Sequence, residues 1–96
     1  MTQTEQGIIL FLIKIYNICF KHQCSVTSWI RTTKRNTFVG GDKGSRHLIG
    51  YAIDLVPDSW PKVDDLLLQD IKKYGLFYLI EKDHIHVQAI KPGQPI

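Results

Sequence analysis

The sequence has few of the residues that cross-link small proteins. Its 96 residues include only two cysteines, Cys19 and Cys24. A disulfide scaffold uses more cysteines, and no Cys-x-x-Cys zinc spacing is present. We therefore predict two reduced, buried thiols, with a single local bridge as the alternative. The composition, 44% hydrophobic and 22% charged residues, is that of an ordinary globular protein. The length predicts one domain, 1–96, ending in a tail from about residue 91.

The chain also lacks a strong charge of one sign and an apolar run long enough for a membrane. Twelve basic residues and nine acidic ones leave a net charge of +3. The basic run around Arg31 has no interleaved aromatics, so a nucleic-acid partner is not expected. Lys14 and Asn17 interrupt the apolar stretch Gly7–Phe20, and a bilayer span needs about 20 residues. We expect no membrane span and no signal peptide, because no basic residue precedes that stretch.

The pattern of apolar and turn residues predicts an α+β protein with a small antiparallel sheet. Thr2 and Glu5 have the spacing of a capping box, and the following apolar residues predict a buried N-terminal helix. A second helix is predicted from Ser59–Pro61 to about Tyr74, where Gly75 ends it. The predicted strands are Val26–Ile30, Tyr51–Val56, Leu76–Ile80 and His84–Ile90, and the last two form a hairpin. A glycine-containing loop, Thr32–Ser45, is long enough to indicate a functional segment.

Histidines and carboxylates occur in two clusters. In the second cluster, a strand would place His84, His86 and Gln88 on one face, since successive side chains alternate. In the first cluster, Gly50 permits a sharp turn between His47 and the strand that carries Asp54. Two histidines and an aspartate with an open fourth position form a plausible catalytic zinc shell. A His-x-His pair alone is a weak signal, and only the combination of the two clusters supports a metal site.

These clusters resemble those of a known peptidase family. The pattern Ser45-x-His47-x-x-Gly50-x-Ala52-x-Asp54, followed by Asp83-His84-x-His86, is similar to the motifs of the zinc D-Ala-D-Ala carboxypeptidases. That family includes phage endolysins that cleave L-Ala-D-Glu bonds, and its fold is shared with lysostaphin-type enzymes and the Hedgehog domain. Upstream residues extend the resemblance to the small phage-type branch: Ser28-Trp29-Ile30-Arg31-Thr32, Asn36 and Val39-Gly40-Gly41. The resemblance covers about Val26 to Val87.

The resemblance implies a role for each matching residue. His47, Asp54 and His86 would bind one Zn²⁺ per chain. Asp83, three residues before the last ligand, would be the general base. His84 and Arg31 would assist catalysis, and Ser45 and Arg31 would contact substrate. In an alternative frame, His84 is the ligand and Glu81, three residues earlier, is the base.

The function implied is hydrolysis of peptide bonds in bacterial peptidoglycan, as a D-Ala-D-Ala carboxypeptidase or a stem-peptide endopeptidase. The alternative is a catalytically weak, zinc-holding module of the same fold that binds peptides. The expected partner is a peptidoglycan stem peptide, and the sequence leaves the oligomeric state open. With no signal peptide expected, the resemblance favours a phage or prophage product that is made in the cytoplasm and acts on the cell wall after release.

Overall fold

The computed structural model describes residues 1–30 and 50–90, and these form two helices and four strands. In chain order they are α1 (Gln3–His22), β1 (Cys24–Ser28), β2 (Ala52–Pro57), α2 (Asp65–Lys73), β3 (Leu76–Ile80) and β4 (Ile85–Ala89). This order and class are those predicted from the sequence. The predicted loop Thr32–Ser45 and the predicted tail lie outside the described residues.

Local sequence signals account for the helix ends. Thr2 and Glu5 form the predicted capping box, in which each side chain bonds the other residue's backbone N–H. Helix α2 begins later than predicted. The Asp64 side chain accepts a hydrogen bond from the Leu66 N–H and so caps α2, whereas the segment around Ser59–Pro61 is a turn. Gly75, with φ of 75°, follows the end of α2 as predicted.

The four strands form one antiparallel sheet in the order β1-β2-β4-β3. The hairpin β3–β4 is as predicted, and β4 inserts between β3 and β2. Ile85, Val87 and Ala89 on β4 are fully buried, which confirms their predicted inward direction. The core packs these residues against side chains from both helices and from β2 and β3: Phe11, Ile15, Ile18, Tyr51, Ile53, Leu55, Leu67, Ile71 and Leu76.

Helix α1 is buried on one side only, which differs from the predicted core helix. Phe11, Ile15 and Ile18 face the core, but four apolar residues spaced four, three and four positions apart are exposed: Ile9, Ile13, Tyr16 and Phe20. The sequence is apolar around most of the helix axis, yet the sheet and α2 cover a single face. Periodicity alone could not show this, because it reports hydrophobicity and not what packs against it.

Polar contacts join the two helices beside the core. The Lys14 ammonium donates a hydrogen bond to the Tyr74 carbonyl oxygen at 2.8 Å, where α2 ends. The Asp70 carboxylate lies 2.8 Å from the Lys21 Nζ and 2.7 Å from the His22 Nε2. These two partners lower the pKa of Asp70 to about 2. Cys19 and Cys24 are free, half-buried thiols at the α1–β1 junction. No helix among residues 1–30 and 50–90 has the length and hydropathy needed to cross a membrane.

Candidate metal and catalytic site

The candidate site lies on the sheet face opposite the helices. Asp54 on β2 pairs directly with His86 on β4, so their side chains project from the same face. Asp54 is only 4% exposed. A buried carboxylate is costly unless it is paired, and here it faces two imidazole rings. The structure therefore brings together Asp54 and His86, which are far apart in the chain.

Both histidines of the second cluster lie at the same distance from Asp54. The Asp54 Oδ1 is 3.5 Å from the His86 Nδ1 and 3.5 Å from the His84 Nε2. His86 lies within β4, whereas His84 lies in the bend before this strand begins. The predicted strand start at His84 is therefore one residue early, but both rings still reach the carboxylate.

The second nitrogen of each ring has its own hydrogen-bond partner. The Nε2 of His86 donates to the Gln88 Oε1 at 2.7 Å, and the Nδ1 of His84 donates to the Asp83 Oδ1 at 2.6 Å. In a neutral ring this leaves the nitrogen nearer Asp54 unprotonated, as a metal ligand requires. The Asp54 carboxylate raises the pKa of His86 by accepting a hydrogen bond from the protonated ring, while burial acts in the opposite direction.

The two candidate bases lie on different sides of His84. The Glu81 Oε2 is 3.7 Å from the His84 Nε2, the nitrogen that faces Asp54. Asp83 contacts the other nitrogen, and its side chain is 82% exposed. In this conformation Glu81 is thus on the Asp54 side of the ring. The exposed Asp83 carboxylate is held by its hydrogen bond to the His84 ring and not by packing.

The donor separations fit a zinc shell in part. Two ligands of a tetrahedral Zn²⁺, each bound at about 2.0–2.2 Å, lie roughly 3.4 Å apart. The Asp54–His86 and Asp54–His84 separations of 3.5 Å both match this value. Within residues 1–30 and 50–90, however, no three His, Cys, Asp or Glu side chains form a complete metal-binding group. A further ligand would have to come from elsewhere in the chain.

The predicted ligand His47 and the predicted substrate contacts Arg31 and Ser45 lie outside the described residues. The ends of the segment that carries them are held together. The Trp29 indole N–H donates to the Gly50 carbonyl oxygen at 2.9 Å, and Ile30 packs beside Gly50. Gly50 lies in a turn with φ of 81°, a left-handed conformation that glycine adopts readily, and the sequence predicts that Gly50 permits a sharp turn here. The described residues on either side of 31–49 therefore lie next to each other, between β1 and β2.

The sequence predicts no role for Gln88 in the site. Strand alternation predicts Gln88 on the His86 face, but it does not indicate the hydrogen bond between the two side chains. The spacing of two residues in a strand was the available signal, since residues i and i+2 share a face.

A buried aspartate that faces two histidines brings together the ligand types that catalytic zinc sites use. A family model described as Peptidase M15 matches residues 9–88. The chain therefore belongs to the Peptidase M15 family, whose members are metallopeptidases that are generally zinc-dependent. Comparison with curated proteins and with solved structures gave no match.

Proposed function

We propose that this protein is a zinc-dependent peptidase that hydrolyses peptide bonds in the stem peptides of bacterial peptidoglycan. The observation that carries the proposal is the placement of the Asp54 carboxylate 3.5 Å from two imidazole nitrogens on one sheet face. Family membership supports peptidase chemistry. The choice of peptidoglycan as substrate comes from the resemblance of the motifs to the D-Ala-D-Ala carboxypeptidases.

Asp54, His86 and His47 are the proposed zinc ligands. When bound, zinc would polarise the scissile carbonyl and lower the pKa of its bound water molecule to about 7. Asp54 is held by the central strand β2 and by its neighbour His86, so it needs no rearrangement to serve as a ligand. Gln88 holds the His86 ring by its second nitrogen.

The chain's own residues would carry the proton transfers. Asp83 would accept a proton from the attacking water and deliver it to the amine nitrogen as the C–N bond breaks. Such help is worth about 10²–10⁴-fold in rate. His84 and Arg31 would stabilise the negative charge that develops on the carbonyl oxygen. Glu81 is the alternative base, and its position on the Asp54 side of His84 supports that alternative.

The test combines metal analysis with digestion of purified peptidoglycan. After reloading and dialysis, we expect one zinc per chain and new muropeptides identified by mass spectrometry, which also identifies the bond cleaved. A chelator should abolish product formation, and added zinc should restore it. Stoichiometric zinc without any product would favour the peptide-binding module instead. Absence of zinc after reloading would contradict both.

A further inference from the structure

The sheet face that carries the site changes from polar to apolar along one row of paired residues. Ser28 on β1 pairs with Asp54 on β2, Asp54 pairs with His86 on β4, and His86 pairs with Leu79 on β3. Directly paired residues on antiparallel strands have Cβ atoms about 4.5–5.5 Å apart. Leu79 is therefore the immediate neighbour of a proposed zinc ligand, on the side of the site away from β1.

A second apolar side chain extends this surface. Phe77 pairs with Gln88 and, two residues from Leu79, projects from the same face of β3. Phe77 is 43% exposed and Leu79 is 50% exposed. Peptide and ligand sites are commonly apolar surfaces with a few polar groups that fix orientation. The sheet provides that combination here, with the polar groups of Asp54 and His86 next to two exposed apolar side chains.

We propose that Leu79 and Phe77 form a substrate subsite, the apolar shelf, which binds the alkyl side chain of a peptide residue adjacent to the scissile bond. The inference rests on the proposed function. An extended peptide rises about 3.3 Å per residue. A substrate whose scissile carbonyl lies over Asp54 and His86 therefore reaches Leu79 with a neighbouring residue. A methyl side chain, such as that of alanine, gains apolar contact there that glycine cannot make.

The neighbouring residue of β3 provides a matched control. Ile80 is 51% exposed, almost the same as Leu79, but it pairs with Ile85 and belongs to the opposite face. Leu79→Ser and Ile80→Ser each remove an exposed aliphatic side chain from the same strand. Only the first removes it beside Asp54 and His86.

The experiment uses the full chain, reloaded with zinc, and two synthetic stem pentapeptides. One ends in D-Ala-D-Ala, and the other has glycine at both of these positions. Turnover gives KM and kcat, zinc content is measured for each variant, and methyl NMR spectra record whether the Leu79 resonances shift on peptide addition. The Leu79→Ser spectrum assigns those resonances.

We expect Leu79→Ser to raise KM for the alanine peptide by about three- to tenfold. One methylene in an enclosed pocket is worth about 10- to 200-fold, and the effect at the half-exposed Leu79 should not exceed the low end of that range. The value of kcat, the zinc content and KM for the glycine peptide should change little, and Ile80→Ser should behave like the wild type. The Leu79 methyl resonances should shift with the alanine peptide and much less with the glycine peptide.

The outcomes separate the shelf from the proposed function. Turnover with equal KM values for Leu79→Ser and the wild type, or an equal loss in Ile80→Ser, overturns the shelf and leaves the function standing. Loss of zinc in Leu79→Ser would also overturn the shelf and leave the function standing, because it would show that Leu79 has a structural role. Methyl shifts at Leu79 without any turnover support the shelf and contradict the function. If the experiment shows no methyl shifts and no turnover, both the apolar shelf and the proposed function are overturned.

Discussion

The imidazole rings of His84 and His86 lie at equal distances from Asp54 but are held differently. His86 is a residue of β4, which has hydrogen-bonded strands on both sides, and its ring is fixed by Gln88. His84 lies in a bend, and its ring is fixed by the exposed Asp83. Sites on strands are held more firmly than sites on turns. For this reason we propose His86, and not His84, as the zinc ligand.

This difference gives a prediction for the two histidines. His86→Ala should lose zinc, because it removes a ligand from the central sheet. His84→Ala should keep stoichiometric zinc but turn over poorly. Zinc content after reloading, measured with turnover, checks both variants. The opposite pattern, with zinc lost only in His84→Ala, would assign the ligand to the alternative frame.

The two carboxylates of the turn are tested in the same way. Asp83→Asn should keep zinc and lose about 10²-fold or more in kcat, the usual scale for removal of acid–base help. Glu81→Gln is the matched control, because it makes the same carboxylate-to-amide change two residues away. An active Asp83→Asn beside an inactive, zinc-replete Glu81→Gln would identify Glu81 as the base.

Gln88 gives a third prediction at this scale. Removal of a group that orients a metal-binding histidine typically costs 10–100-fold in metal affinity or activity. We expect Gln88→Ala to weaken zinc binding by about tenfold or more, measured by competition with a chromophoric chelator. Gln88→Glu keeps an acceptor oxygen and should recover most of the affinity. Unchanged affinity in Gln88→Ala would show that the bond to His86 does not position the ring.

Among the secondary-structure elements, α1 shows a sharp contrast between its two faces. Phe11 is fully buried, whereas Phe20, on the same helix, is exposed and stacks on Tyr16 with ring centroids 6.1 Å apart. Phe11→Ala should lower the free energy of unfolding by about 3–5 kcal/mol. Phe20→Ala should cost less than about 1 kcal/mol, since it removes only a surface ring pair. Denaturant unfolding of the two variants measures both values, and equal losses would contradict the one-sided packing of α1.

The contact between α1 and α2 makes stability depend on pH. The folded-state pKa of Asp70 is about 2, below its ordinary value of 3.8, because of Lys21 and His22. A depressed pKa contributes stability that is present above pH 3.8 and is lost as the pH falls towards 2. Asp70→Asn should therefore melt below the wild type at pH 6, and the difference should vanish near pH 2. A constant difference from pH 6 to pH 2, measured by thermal melts, would show that the Asp70 charge contributes nothing.

Predictions for these elements succeeded where the signal was local. The capping box at Thr2, the stop at Gly75 and the alternation along β4 depend on residues close together in sequence, and the structure has all three. The exposed face of α1 and the equal distances of His84 and His86 from Asp54 depend on which elements pack together. The amino-acid pattern of α1 or β4 alone does not contain that information.

At the scale of the whole molecule, the proposed zinc ion would join β2 and β4 to the segment 31–49. A small domain has little stability to spare, so metal binding to the folded state should raise it measurably. A ligand at one hundred times its Kd adds about 2.7 kcal/mol. For a chain of this size, that corresponds to a rise of roughly 10–20 °C in Tm.

We therefore expect a chelator to lower the Tm by such an amount and zinc to restore it, as measured by calorimetry. His47→Ala should show neither the metal-dependent rise nor activity. A His47→Ala protein that binds zinc with wild-type affinity would exclude His47 as a ligand.

The insertion of β4 between β3 and β2 also has a consequence for how the chain folds. Helix α1 and the hairpin β3–β4 are made of contacts near in sequence, whereas the pairing of Asp54 with His86 must close a loop containing α2 and β3. Loop closure costs entropy before the new contacts repay it, so non-local pairings form slowly. Asp54 and His86 meet only when β2 pairs with β4. A chain in which only α1 and the hairpin have formed would hold His86 without its aspartate.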